Sequence, residues 1–110
     1  MARSKYNNTK VIIGIFTFDS KKEARRYQEL KLLEKAGGIT GLTVHPRFPI
    51  IVNDQRICTY IADFKYWIDF SDINITPKCV VEDVKGVKTA IYRLKKKLVF
   101  ATYGITITEV

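Results

Sequence analysis

Four ionisable residues stand where a folding chain places charge only with a reason. The run Val80-Val81-Glu82-Asp83-Val84-Lys85-Gly86 begins as an apolar strand and ends with two acids and a lysine within four positions. Asp63 lies inside Tyr60-Ile61-Ala62-Asp63-Phe64-Lys65-Tyr66-Trp67, a largely apolar and aromatic run. Burying an unpaired carboxylate is expensive, so each acid needs a partner. If segments 57–69 and 77–85 form a hairpin centred near Ile73, residues whose numbers sum to about 146 face each other, with Cβ atoms on the order of 5 Å apart. Asp63 then falls opposite Asp83, and Ile61 opposite Lys85. Two carboxylates that close repel unless a proton or a cation sits between them. Lys85, on the same strand face as Asp83, could be that cation in a buried ion cluster. A second chemistry fits the same residues. Hard divalent ions such as Mg²⁺ take one or two carboxylates plus water and phosphate oxygens, and a neighbouring lysine suits attack by water on phosphorus. Alternation turns Glu82 to the opposite face, which makes Asp83 the expected ligand and Glu82 its reserve.

The elements that must position these groups are legible in the surrounding pattern. Residues 1–10 are polar and basic and are expected to be a loosely held arm. Val11 to Phe18 is β-branched and aromatic, an extended segment with a bend at Gly14. Ser20 with Glu23 three residues on is a capping box, opening a helix from Lys21 to Lys35 that Gly37-Gly38 stops. Ala24, Tyr27, Leu30, Leu32, Leu33 and Ala36 supply its apolar positions, and Glu23 borders that buried face. The capping role and a site role compete for the one Glu23 carboxylate. Lys21, Lys22, Arg25 and Arg26 crowd the first turns against the helix dipole, a placement that makes sense beside phosphate or as a solvated face. Alternation from Ile39 to Val52 predicts a strand bent around Pro46 and Pro49, followed by a turn at Asn53-Asp54-Gln55. A long strand then runs from Ile57 to Ile68, and Ser71 to Asn74 connects it to the strand ending at Lys85. A second helix is expected over Lys88 to Leu98, burying Ala90, Ile91, Leu94 and Leu98, and a last strand over Ile105 to Val110.

Composition narrows the partners. Nineteen Lys and Arg against eleven Asp and Glu leave the 110-residue chain at +8, which favours a polyanion, nucleic acid above all. The length suits one domain spanning residues 1–110. Two cysteines and a single histidine cannot make a tetrahedral zinc site. Cys58 and Cys79 sit in apolar runs, and the hairpin register keeps them apart, so both are expected to be free thiols in a reducing cytoplasm. No run is long enough to span a membrane. His45 and Trp67 are expected to serve packing.

In order along the chain, Glu23, Asp63 and Asp83-Val84-Lys85 resemble the PD-(D/E)xK, or restriction-endonuclease-like, nucleases. In that superfamily an acid on one strand precedes (D/E)-x-K on the next, and a glutamate often comes from the first helix. The resemblance implies an α/β (α+β) fold with an αβββαβ core, a mixed central sheet flanked by two helices. Closer still, Phe18-Asp19-Ser20-Lys21-Lys22-Glu23-Ala24, Tyr60 to Tyr66 and Val81 to Gly86 look like a family of small phage and prophage proteins, long labelled a domain of unknown function, over roughly residues 5 to 110. The Lys85-Gly86 ending resembles phage endonucleases that resolve branched DNA, such as Holliday junctions. Ala62 stands where the superfamily's nominal proline would be.

The resemblance implies a metal-dependent DNA endonuclease leaving a 5′-phosphate and a 3′-hydroxyl. Asp63, Asp83 and the Val84 carbonyl would hold Mg²⁺ or Mn²⁺, Glu23 would join directly or through water, and Lys85 would orient or help deprotonate the attacking water. Lys21, Lys22, Arg25, Lys88, Lys95, Lys96 and Lys97 are candidates for the DNA backbone, contacts that give affinity without sequence preference. The motif selects the bond, not the shape of the nucleic acid around it. Resolution of a junction needs two cuts and hence usually a homodimer, for which the exposed N-terminal strand offers one surface. The competing expectations are a non-catalytic nucleic-acid-binding module, with Tyr60, Phe64, Tyr66 and Tyr92 as stacking platforms, and a protein whose acids form only a buried ion network.

Overall fold

The computed structural model describes residues 10–68, 76–84 and 88–110. Most of the expected arm, the Ser71–Asn74 connection and Lys85-Gly86 lie outside the described residues. The chain opens on a small hairpin, β1 (Val11–Ile13) and β2 (Phe16–Phe18). Gly14 takes φ 60° in the two-residue turn, with Ile13 paired to Phe16. The single bent segment expected here is therefore two strands, because the turn conformation suits glycine and reverses the chain completely.

Helix α1 (Lys21–Lys35) has the expected limits. The Ser20 side chain caps it by accepting from the Glu23 N–H at 3.1 Å. Strands β3 (Thr40–Val44) and β4 (Arg47–Val52) follow, broken at His45-Pro46. Asn53 and Asp54, at φ 50° and 62°, make the tight turn into β5 (Gln55–Ile61). Both are residue types that tolerate the left-handed conformation such hairpins require.

The long strand expected from Ile57 to Ile68 is not continuous. It breaks at Ala62-Asp63, and β6 (Phe64–Ile68) resumes on the other side. The break lies opposite the one at His45-Pro46: His45 N–H donates to the Asp63 carbonyl at 2.9 Å and Ala62 N–H to the Pro46 carbonyl at 3.1 Å. One long hairpin thus bends across both strands, β3 with β6 below the bend and β4 with β5 above it.

The central sheet has the order β3-β6-β7-β8, with β7 at Lys78–Asp83 and β8 at Ile107–Glu109. It is mixed: β3, β6 and β7 run antiparallel, while β8 lies parallel to β7 across helix α2 (Ala90–Tyr103). Counting each bent strand once, the core order is α-β-β-β-α-β. The β6–β7 register pairs Phe64 with Glu82 and Trp67 with Cys79, as expected, and both cysteines are free.

Alternation along β7 sends its side chains into two cores. Val80 and Val84 join Phe18, Ala24, Leu30, Phe64 and Tyr66 beneath α1. Val81 joins Tyr60, Ala62, Tyr92, Val99 and Ile107 beneath α2. The helices therefore cover opposite faces. Helix α2 is longer than expected, capped by Thr89 and ended by Gly104 at φ 70°. Its buried stripe is also different: Tyr92 and Val99 face the core, whereas Ile91 and Leu94 are exposed. Tyr92 wins the inner face because its ring packs near Tyr60 while its hydroxyl donates to Glu109 at 3.1 Å, a combination open to an amphipathic aromatic and closed to Ile or Leu. No helix among the described residues is long and apolar enough to cross a membrane.

Candidate functional site

The two adjacent acids of β7 have different surroundings. Glu82, 1% exposed, points under α1. Arg26 grips it with both ends of the guanidinium, Nε to Oε1 at 2.8 Å and Nη2 to Oε2 at 2.7 Å. The Tyr66 hydroxyl donates to the same carboxylate. The hydrogen bond to Glu82 raises the Arg26 pKa, and burial followed by the Glu82 contact pushes Tyr66 up to about 12. Arg26 thus spans from this internal carboxylate to the exposed Glu29, whose Oε2 lies 2.9 Å from its Nη1.

Asp83, also 1% exposed, points the other way and accepts from the Tyr60 hydroxyl. Burial and that hydrogen bond raise the Tyr60 pKa, which keeps the phenol a donor. Asp83 also meets the Asp63 carboxyl, which in turn meets that of Glu23. Asp63 lies at the bend of the long hairpin, half-buried rather than mid-strand, and the Val84 N–H donates to its Oδ2 at 2.6 Å. Carboxyls from α1, the β5–β6 break and the end of β7 therefore converge on one place.

The cost of this convergence is visible at Asp63. Its pKa is pushed from 3.8 up to about 6, with burial the largest cause and Glu23 adding to it, against the lowering effects of Asp83 and the Val84 N–H. Carboxyls this close share protons or a cation. Glu23, 7% exposed, resolves the competition noted in the sequence by serving both ends: its N–H is capped by Ser20 while its carboxylate faces Asp63.

A third side chain joins Glu23 and Asp63. One ligand atom each from Glu23, His45 and Asp63 lies within 4.8 Å of the others. His45 was expected to be packing, and its ring does lie 5.8 Å from that of Phe18. The sequence signal for more was its position before Pro46, at the break of an otherwise regular alternation. Carboxylate oxygens with one imidazole are a set that could hold a hard or borderline divalent cation. Val84 is at the site through its N–H. Lys85 lies outside the described residues.

Five of the seven basic candidates fall in two clefts flanking the ends of β7 and β8. Lys22 and Arg25 of α1 line the first with Arg26, Val84 and Val110. Lys88, Lys96 and Lys97 line the second with Arg93, Phe100 and Glu109. Lys96 and Lys88 are paired to Glu109 at 2.9 and 3.5 Å, so part of their charge is answered internally. Lys21 is exposed at the start of α1, and Lys95 borders a different surface beside Thr59 and Ile91. The tyrosines and phenylalanine considered as stacking platforms are not available for that: Tyr60, Phe64, Tyr66 and Tyr92 are all buried. Each has found a better use in the core, the tyrosines with their hydroxyls on Asp83, Glu82 and Glu109.

Residues 3–107 match a family described as "Protein of unknown function (DUF1064)". The chain belongs to that family. No curated protein and no solved structure matches it. The match takes in all the described acids of the site and both helices, so site and family share one extent of chain.

Proposed function

We propose that this chain is a divalent-metal-dependent endonuclease that hydrolyses DNA phosphodiester bonds to a 5′-phosphate and a 3′-hydroxyl, as the resemblance to the PD-(D/E)xK nucleases implies. The observation that carries the reading is the convergence of the Glu23, Asp63 and Asp83 carboxyls from three separate elements, with Asp63 raised to about 6 by burial first and by Glu23 second. Mg²⁺ or Mn²⁺ would be held by Asp63 and Asp83, with the Val84 carbonyl and Glu23. Once bound, the ion supplies a Lewis acid for the scissile phosphate and a more acidic water.

The chain's own residues do the rest. Tyr60 fixes the Asp83 carboxylate by hydrogen bond, and the Val84 N–H fixes Asp63. Lys85, next in sequence after Val84, orients the water or takes its proton and offsets charge on the phosphate. Lys22 and Arg25 on one side and Lys97 and Arg93 on the other hold the backbone of DNA, so affinity falls steeply with salt. A branched substrate such as a four-way junction, cut by a homodimer, is the form in which we place this activity.

Cleavage of a synthetic four-way junction, a duplex and a single strand with Mg²⁺ or Mn²⁺ tests the reading. Asp63→Asn and Asp83→Asn should each lower the rate by at least about 100-fold, since ligand removal exceeds the 10–100-fold cost of losing an outer partner. Wild-type protein that cuts none of the three, or Asn variants that cut as fast as wild type, would sink it.

A further inference from the structure

We infer that His45 is a direct metal ligand and makes the site prefer Mn²⁺ over Mg²⁺. This rests on the metal-binding reading above and goes beyond it, since the motif that suggests that reading contains no histidine.

The backbone at His45 is the first observation. It stands at φ 54°, a region uncommon for any residue with a side chain. The residue is also followed by Pro46, which restricts its neighbour toward extended conformations. Such a conformation persists only where the surroundings enforce it, and it clusters at functional sites. Here the enforcement is the pair of hydrogen bonds across the bend, from His45 N–H to the Asp63 carbonyl and from Ala62 N–H to the Pro46 carbonyl. The same bend that presents the Asp63 carboxyl therefore presents the imidazole.

Spacing is the second. A ring nitrogen of His45 lies within 4.8 Å of a carboxylate oxygen on both Glu23 and Asp63. Ligands on opposite sides of a small divalent ion, with bonds of about 2.1 Å, sit roughly 4.2 Å apart. Three donors within 4.8 Å of one another are near enough for a small rotation of the side chains to close them around an ion. The Phe18 ring lies beside the imidazole, with centroids 5.8 Å apart.

The choice of ion follows from donor type. Mg²⁺ is a hard ion that favours oxygen and keeps its waters. Mn²⁺ accepts the same oxygens, and imidazole binds transition ions better than it binds Mg²⁺. Adding one nitrogen to a carboxylate set therefore raises affinity for Mn²⁺ more than for Mg²⁺.

His45 is the chain's single histidine, so in untagged protein any imidazole coupling to a bound ion identifies it. Pulsed electron paramagnetic resonance of the protein with Mn²⁺ alone should show nitrogen coupling in wild type and none in His45→Asn. Asn tolerates positive φ, so this variant keeps the bend. Calorimetry should show His45→Asn weakening Mn²⁺ binding by at least about 10-fold and Mg²⁺ binding by less than about 3-fold, while Asp63→Asn weakens both. Bound Mn²⁺ without nitrogen coupling, or equal losses for the two ions in His45→Asn, overturns the inference and leaves the nuclease reading intact. Wild type that binds neither ion overturns both. If His45→Asn fails to fold, the wild-type coupling still decides ligation, and the wild-type ratio of Mn²⁺ to Mg²⁺ affinity decides preference.

Discussion

Glu82 and Asp83 are neighbours on one strand and equally buried, yet they stand in opposite electrostatic worlds. Glu82 meets a guanidinium held at two points and a tyrosine hydroxyl. Asp83 meets a tyrosine hydroxyl and a second acid, which itself meets a third. The difference teaches how a strand that alternates faces can send one acid to an arginine and the next to a cluster of acids. Tyrosine serves both, because a phenol holds a carboxylate in place without neutralising it.

Breaking the closed side gives the largest effect on stability. Arg26→Ala leaves Glu82 buried without its cation, and removing one partner of a buried pair typically costs about 3–5 kcal/mol. Because Arg26 is itself 25% exposed, the lower end is expected, about 3 kcal/mol in urea denaturation. Replacing Glu82 as well, as in Arg26→Met with Glu82→Leu, should recover most of the loss, since a well-packed apolar pair can match a buried ion pair.

The acid cluster should respond in the opposite sense. The folded pKa of Asp63, about 6, lies above its ordinary 3.8. The folded state therefore takes up the proton more readily, so this contribution is fully present below about pH 4 and lost as pH rises through about 6. In metal-free protein the melting temperature should fall between pH 5 and pH 8 on account of this group. Asp63→Asn should flatten that slope and melt above wild type at pH 8, even as activity is lost. Added Mn²⁺ should raise the melting temperature more at pH 8 than at pH 5, because it takes the place of the proton. A wild-type curve that rises over this range, unchanged in Asp63→Asn, would contradict the assignment.

The smallest effect concerns surface charge. Lys22→Ala and Arg25→Ala should each reduce the slope of log affinity against log salt for duplex DNA by about 0.9, one phosphate apiece. Lys96→Ala should change it less, since Lys96 is already paired to Glu109. Equal changes in all of them would mean that internal pairing does not decide which cations reach DNA.

Local signals in the sequence located α1 and its cap, the turn at Asn53-Asp54 and the β6–β7 register, because propensity and packing agree there. That Asp83 and not Glu82 turns toward Asp63 followed from alternation alone. What was not legible came from tertiary competition. The run from Ile57 to Ile68 carries no glycine or proline at Ala62-Asp63, so its break is imposed by the partner strand at His45-Pro46. Of the stripe Ala90, Ile91, Leu94 and Leu98 expected on α2, only Leu98 packs against the core, since Tyr92 joins a core and an acid at once. His45 was passed over for the same reason: its geometry depends on a bend that belongs to two strands.

That bend has one further consequence. Below it the hairpin packs with α1, above it with α2, so the acids sit on the seam between two separately packed halves. Glu23 is carried by the α1 half and Tyr60 by the α2 half, while Asp63 straddles the join. The width of the site is therefore set by how the halves abut. Shaving a methyl from Val99 or from Leu30, both fully buried, should alter that aperture from opposite sides.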